Sequence, residues 1–275
     1  MLTEVQLNEI KTLQEICEQE GGFHLKLNFD MLKNRAEHSK EDLFHYEDSK
    51  LVGFLGSYYF GSKVELCGMV HPDYRRRGIF SKLLEKALKE TENRKSKMIL
   101  LNAPTASQPA NEFLKTIPCR FLIAEYQMKW QKTELTEDPA ITVRPSFSKD
   151  DQEAEIQLDV SGFGLNESDV REMHQSIVES SSDQRLIIEA NGQTAGKMRI
   201  SEMNGESWIY GFAIFPELRG KGIGRKALSK VVKMEDQKGL PIFLEVEAKN
   251  AHALGLYESC GFRSYHSQDY YEYQK

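Results

Sequence analysis

No stretch of this sequence approaches the ~18 consecutive apolar residues that a membrane-spanning helix requires, so such a helix is not its organising element. The opening residues, Met1 to Ile10, have neither a basic start nor a continuous apolar run, and no secretory signal is expected there. Cysteine is scarce. Cys17, Cys67, Cys119 and Cys260 are scattered, with no Cys-x-x-Cys and no histidine at ligand spacing. The expectation is isolated buried thiols in a reducing cytoplasm, with no disulfide framework and no metal site. An excess of positive charge is also lacking. Residues 1–137 balance 20 Lys and Arg against 20 Asp and Glu, and residues 138–275 carry 16 against 22, so the whole net charge of −6 lies in the second half. A nucleic-acid partner is disfavoured. An acidic mouth that attracts a cationic acceptor is one reading of the excess, and an ordinary solvated surface is the other.

What the chain does have is a repeat. Its 275 residues, 40% hydrophobic and 28% charged, suit two globular domains of about 140 residues each. His71-Pro72-Asp73-Tyr74-Arg75-Arg76-Arg77-Gly78-Ile79 matches Phe215-Pro216-Glu217-Leu218-Arg219-Gly220-Lys221-Gly222-Ile223 at a constant offset of 144, while upstream Gly53 matches Gly196 at 143. Such a period is too long for a solenoid unit and marks a duplicated domain. Each half reads as an amphipathic helix, a hairpin (Asp42–Phe60; Arg185–Ser201 across Asn191-Gly192), a strand, a basic glycine loop opening a helix, and a further strand. Leu83, Leu84, Ala87 and Leu88 form one helical stripe; Ala227, Leu228, Val231 and Val232 form its counterpart. The polar stretch Lys132–Thr142, with Pro139, reads as the linker. The polar segment Ser146–Ser182 reads as helices plus loop that shape an acceptor site.

Arg219-Gly220-Lys221-Gly222-Ile223-Gly224-Arg225 stands between a strand and a helix. A helix N-terminus leaves N–H groups unpaired and carries partial positive charge, so a diphosphate is a natural guest. The spacing excludes the P-loop, because Lys226 is followed by Ala227, and the dinucleotide fingerprint, because the glycines run Gly-x-Gly-x-Gly. A glycine cap on a basic surface is the bland alternative. About thirty residues on comes Asn250-Ala251-His252-Ala253-Leu254-Gly255-Leu256-Tyr257-Glu258-Ser259-Cys260-Gly261-Phe262.

The pair of motifs, Arg-x-x-Gly-x-Gly and then Asn-x-x-Ala-x-x-Leu-Tyr-x-x-x-Gly-Phe, resembles the cofactor loop and second cofactor motif of the GNAT superfamily of N-acetyltransferases. The resemblance is strong over residues 138–275 and partial over 1–137. It implies an α/β fold with a mixed sheet, built as two tandem GNAT-like acyl-CoA N-acyltransferase domains: 1–135 degenerate, 136–275 catalytic. The arrangement is similar to that of mycothiol synthase-like double-domain acetyltransferases. By resemblance, acetyl-CoA is the co-substrate. Its diphosphate lies on Arg219, Gly220, Lys221, Gly222, Ile223, Gly224 and Arg225, its pantetheine arm lies along Phe212, Ala213 and Ile214, and Asn250 and Tyr257 complete the set. Tyr257 is the implied proton donor, with a core tyrosine bonded to a backbone carbonyl as the alternative.

Acetyl transfer to an amine also needs a base, since an alkylamine has a pKa of about 10. Glu245 is the leading candidate. Glu247 shares its strand face and Glu206 begins the preceding strand, and each is otherwise a surface carboxylate. His252 reads as surface. The first copy keeps Arg75 and Gly78 but has Phe80 where Gly224 stands, which puts the packing of that corner in question. Phe113 falls 144 residues before Tyr257 and has no hydroxyl to donate. The expected function is acetyl transfer from acetyl-CoA to a primary amine of a small molecule or peptide, by a monomer. The alternatives are a silent acyl-CoA-binding sensor and an enzyme whose N-terminal copy is the active one.

Overall fold

The computed structural model describes residues 1–37, 39–180, 183–203 and 205–274. Two compact units emerge, Met1–Ala124 with His266–Lys275, and Glu125–Tyr265. The resemblance implies a division between 135 and 136. Here the chain passes from the first unit to the second at 124/125, and its last ten residues belong with the first.

In chain order the first half forms α1 (Glu4–Gly21), α2 (Phe29–Lys33), β1 (Asp42–Glu47), β2 (Lys50–Phe60), β3 (Lys63–Val70), α3 (Ile79–Asn93), β4 (Met98–Pro104), α4 (Gln108–Leu114) and β5 (Cys119–Trp130). The second forms β6 (Ile141–Pro145), α5 (Lys149–Phe163), α6 (Glu167–Ser180), β7 (Gln184–Ala190), β8 (Gln193–Met203), β9 (Glu206–Ile214), α7 (Ile223–Asp236), β10 (Ile242–Glu247), α8 (Ala251–Ser259) and β11 (Phe262–Tyr273). The residues between β5 and β6 carry no helix or strand, but the stretch Lys132–Thr142 expected as the linker lies inside the second unit, and its Ile141 and Thr142 pair in β6 with Ala190 and Glu189. The segment expected to hold helices plus loop contains α5 and α6; its last two residues, Ser181 and Ser182, lie outside the described residues. No described helix is long and apolar enough to cross a membrane.

In the first unit β1, β2 and β3 are antiparallel neighbours, β4 runs parallel to β3, and Gln268–Glu272 of β11 pair antiparallel with β4. Helix α1 starts on a capping box between Thr3 and Gln6. It buries Ile10, Leu13 and Cys17 against Phe54, Tyr58 and Met69 on one sheet face. On the other face α3 buries Ile79, Leu83, Leu84 and Ala87 against Val64, Leu66, Ile99 and Leu101. The second unit has the strand order β5-β10-β9-β8-β7-β6. Helix α7 covers one face with Ile223, Ala227, Leu228, Val231 and Val232, and α5 packs on β8 and β9. The two hairpins turn alike: Asp48 and Ser49 have φ of 47° and 63°, Asn191 and Gly192 of 51° and 77°. Positive φ at both central positions matches the right-handed twist of the flanking strands.

Candidate active site

The site begins with one extra residue. β8 and β9 pair in register from Met203↔Glu206 to Arg199↔Tyr210, then shift, resuming at Lys197↔Ala213 and Gly196↔Ile214. Gly211 and Phe212 therefore stand together against Met198, a β-bulge, and Gly211 has a φ of 56° that suits glycine. β2 and β3 pair without such a shift, from Phe60↔Lys63 to Gly53↔Val70. The inserted residue accounts for the change of repeat offset from 143 upstream to 144 downstream. It also reverses the alternation of β9: Ile209 faces the α7 core before the bulge, and Phe212 and Ile214 face it afterwards.

The parallel pairing of β9 with β10 runs only from Ser207↔Ile242 to Ile209↔Leu244. Past that rung the strands part. Phe212–Ile214 hold β8 on one edge and turn the other toward the opening, so backbone groups there are left for a guest. β3 and β4 separate similarly after Leu66↔Leu101.

The glycine loop closes the end of this cleft. After a single turn at Pro216–Leu218, Gly220 and Gly222 adopt φ of 74° and 77°, and α7 starts at Ile223. The first backbone bond of α7 runs from Lys226 N–H to Gly222 O, leaving the N–H groups of Ile223, Gly224 and Arg225 without intrahelical acceptors. Nothing stands within 4 Å of the place a Cβ on Gly220 would take. This bare, donor-rich turn suits a diphosphate. Arg219 has a further part in it: its Nε–H donates to Ile214 O at 2.9 Å, clamping the loop to the end of β9. Lys221 and Arg225 are exposed.

The second motif folds as α8. Asn250 is its N-cap, with Oδ1 accepting from Ala253 N–H at 3.1 Å, so this side chain fixes where the helix starts. Tyr257 is buried in the α7 core, its ring 6.4 Å from that of Phe212 and 6.2 Å from that of Phe262. Burial pushes its phenol up to about 12. Among the described residues its hydroxyl takes no hydrogen bond, unlike buried Tyr58, whose hydroxyl donates to Leu27 O.

The acids lie across the sheet. Leu244 and Val246 face the α7 core, so Glu245 and Glu247 share the opposite face. Glu245 is half-buried and accepts from Gln127 Nε2 at 3.0 Å; Glu247 pairs with Lys249 at 3.1 Å. Glu206 accepts from Trp208 Nε1 at 2.9 Å. His252 is exposed. No group of three or more His, Cys, Asp or Glu side chains suited to a metal ion occurs among the described residues.

Two features escaped the sequence. The bulge gives no local signal beyond one glycine. A buried charged cluster joins α5 and α6 to β8: Asp159 meets Lys197 Nζ at 2.5 Å and His174 Nε2 at 2.8 Å. Burial opposes the charge on Asp159, but the bond to His174 and the ammonium of Lys197 outweigh it and hold the carboxyl below its usual range.

The first unit repeats the frame with different chemistry. Arg75 Nε–H donates to Val70 O at 3.2 Å, as Arg219 does to Ile214 O. A cavity of about 660 Å³ lies along the loop at Arg75, Arg76 and Gly78 and along Gly68, Val70 and Asn102. The alignment of the helices corrects one expectation. Ser107 caps α4 as Asn250 caps α8, an offset of 143, because the loop before β4 is one residue out of step with that before β10. Leu114, not Phe113, therefore stands in the place of Tyr257. The conclusion is unchanged, since leucine has no proton to give.

Comparison with known proteins agrees with this frame. The profile of the acetyltransferase (GNAT) family matches residues 7–116 and again 150–262. A mycothiol acetyltransferase of Clavibacter michiganensis subsp. michiganensis is 27% identical over 214 residues, 71% of this chain and 67% of that one. A [ribosomal protein bS18]-alanine N-acetyltransferase of Escherichia coli is 33% identical over 73 residues, 26% of this chain and 49% of that one. Among solved structures, a GCN5-related N-acetyltransferase from Sphaerobacter thermophilus superposes with a TM-score of 0.80 at 17% identity, covering 98% of this chain and 93% of that one. The duplicated strand-loop-helix frame and the double match establish that the chain belongs to the acetyltransferase (GNAT) family and carries the family's domain twice.

Proposed function

We propose that the second unit is an acetyl-CoA-dependent N-acetyltransferase acting on a primary amine of a small molecule or peptide. The observation that carries this reading is the cleft opened by the Gly211 bulge, with the loop at its end and Tyr257 beside it. Acetyl-CoA, when bound, supplies an activated thioester carbonyl. The N–H groups at the start of α7 hold the diphosphate, with Lys221 and Arg225 adding charge from the exposed side of the turn. The open edge of Phe212–Ile214 offers backbone hydrogen bonds to an extended amide-bearing arm and donors for negative charge developing on a carbonyl oxygen.

Tyr257 Oη keeps its proton for a departing thiolate, whose conjugate acid has a pKa of about 8.5. Glu245, on the opposite side of the cleft, accepts the proton that the ammonium must lose before its nitrogen can attack. Leu114 denies the first unit the same donor, which favours the second as the seat of transfer. The family match and the acetyltransferase names of the relatives support the class of reaction.

Calorimetric titration with acetyl-CoA, followed by thiol release over a panel of amines, tests the proposal. Gly222→Asp puts a carboxylate at the anion site and a side chain at φ 77°. It is expected to weaken binding at the second unit by at least about tenfold, from charge repulsion and αL strain together. Tight binding with no amine acetylated would point instead to a silent acyl-CoA-binding module.

A further inference from the structure

The face of the second unit's sheet opposite Tyr257 carries a row of rings. On β9 Trp208 and Tyr210 alternate with the core residue Ile209, and on β10 Phe243 and Glu245 alternate with Leu244. Trp208 and Phe243 are register partners, and their rings stack at 5.0 Å and 20°. Tyr210 extends the row at 6.0 Å and 11° from Trp208; Tyr265 extends it at 5.7 Å from Phe243. These rings are not a sealed core. Trp208 and Tyr210 are half-buried, and Tyr265 is 40% exposed.

Glu206 and Glu245 frame the row. Glu206 accepts from Trp208 Nε1 and Glu245 from Gln127 Nε2. Both carboxylates act on the Tyr265 phenol, which is raised first by burial and then by these two charges. The chain's own cations already use the rings: Lys129 Nζ lies 5.4 Å from the Phe243 centroid and the Arg199 guanidinium 5.4 Å from that of Tyr210. Tyr210 and Glu245 are also the first residues past the last paired rung of β9 and β10, so the row ends where the cleft begins.

We propose that this row seats the acceptor, and that the acceptor is a cationic aliphatic amine lying on the rings of Trp208 and Tyr265 between Glu206 and Glu245. The inference rests on the transferase reading and adds the substrate class. An ammonium over an indole face and beside carboxylates gains cation–π and Coulomb attraction that a neutral isostere lacks. Arriving charged, it meets at Glu245 the group that takes its proton.

The test is calorimetry on the full chain without acetyl-CoA, comparing 1,4-diaminobutane with 1,4-butanediol. The diamine is expected to bind at least about tenfold more tightly than the diol. Trp208→Leu and Glu206→Gln should each raise its dissociation constant severalfold, with Trp208→Phe close to wild type and acetyl-CoA binding unaltered. Equal binding of diamine and diol would overturn the proposal. So would a panel in which anionic or neutral amines are the preferred acceptors, and that result would leave the transferase reading standing. A diamine that binds as expected but is never acetylated, like every other amine, would leave the seat standing and remove the transferase reading.

Discussion

Phe80 lies over Gly68: a Cβ built on Gly68 would stand 2.9 Å from Phe80 Cε2 and 2.5 Å from Phe54 O. In the second unit the partners are exchanged. Phe212 occupies the position of Gly68 and Gly224 that of Phe80, and a Cβ on Gly224 would stand 3.5 Å from Phe212 Cζ. Each unit fills the same corner with one ring, supplied by the strand in one and by the helix in the other. The doubt that Phe80 cast on the packing there is answered by Gly68. The exchange predicts that Gly68→Ala destabilises the first unit by about 1–3 kcal/mol through overpacking, read as a lower urea midpoint. Because the Phe54 carbonyl is part of the clash, trimming Phe80 in the same molecule should recover only part of that loss.

Tyr257→Phe keeps the ring packed against Phe212 and Phe262 and removes only the hydroxyl. It is expected to lower kcat by about 10²–10⁴-fold with little change in the KM for acetyl-CoA. A phenol must be protonated to donate, and this one is pushed up to about 12. The wild-type rate should therefore hold through the pH range in which an ordinary tyrosine, near 10, would already have ionised. Steady-state thiol release measured from pH 7 to 11 checks both points. A wild-type alkaline limb centred below about 9 would assign the donor elsewhere.

Gly211→Val places a β-branched side chain at φ 56°, costing about 1–2 kcal/mol if the bulge is kept. If the bulge is lost, Phe212 leaves the Tyr257 side of the sheet. In either case kcat is expected to fall by about 10²-fold through misplacement. Acetyl-CoA affinity, set mainly by the loop, should change far less. A single-turnover assay alongside calorimetry separates the two.

Asp151 is held below the usual carboxylate range, first by Arg144, which donates to it at 2.9 and 2.8 Å, against the opposing effect of burial. Asp159 is likewise lowered. Carboxyls with folded values below their unfolded ones stabilise fully above about pH 4, and that stability drains away as pH falls through the folded values. The urea midpoint should accordingly drop below pH 4. Asp151→Asn should cost about 2 kcal/mol near neutrality and flatten the acid limb, measured by denaturation at a series of pH values.

The motifs that are contiguous in the chain were legible in it. The loop Arg219–Arg225, the helix carrying Tyr257 and both hairpin turns rest on spacing and local backbone preference, and each folds as its pattern implies. The bulge was present as the one-residue difference between two repeat offsets, but only the strand register gives that difference a place. What stayed hidden depends on which face a residue takes. Trp208, Tyr210 and Phe243 read as ordinary alternating strand residues until parallel pairing sets them side by side. Asp159, His174 and Lys197 come from three elements whose packing no local pattern encodes. The helix register that puts Leu114 in the place of Tyr257 turned on a single loop residue, below the resolution of a motif match.

The final strand has a temporal consequence. Gln268–Glu272, which close β4 on its free side, follow the second unit in the chain. A ribosome moving from the N-terminus completes Glu125–Tyr265 before it delivers the piece that finishes Met1–Ala124. The first unit thus spends about half of its synthesis with β4 unguarded, a state prone to mispairing, and it matures last although it is made first.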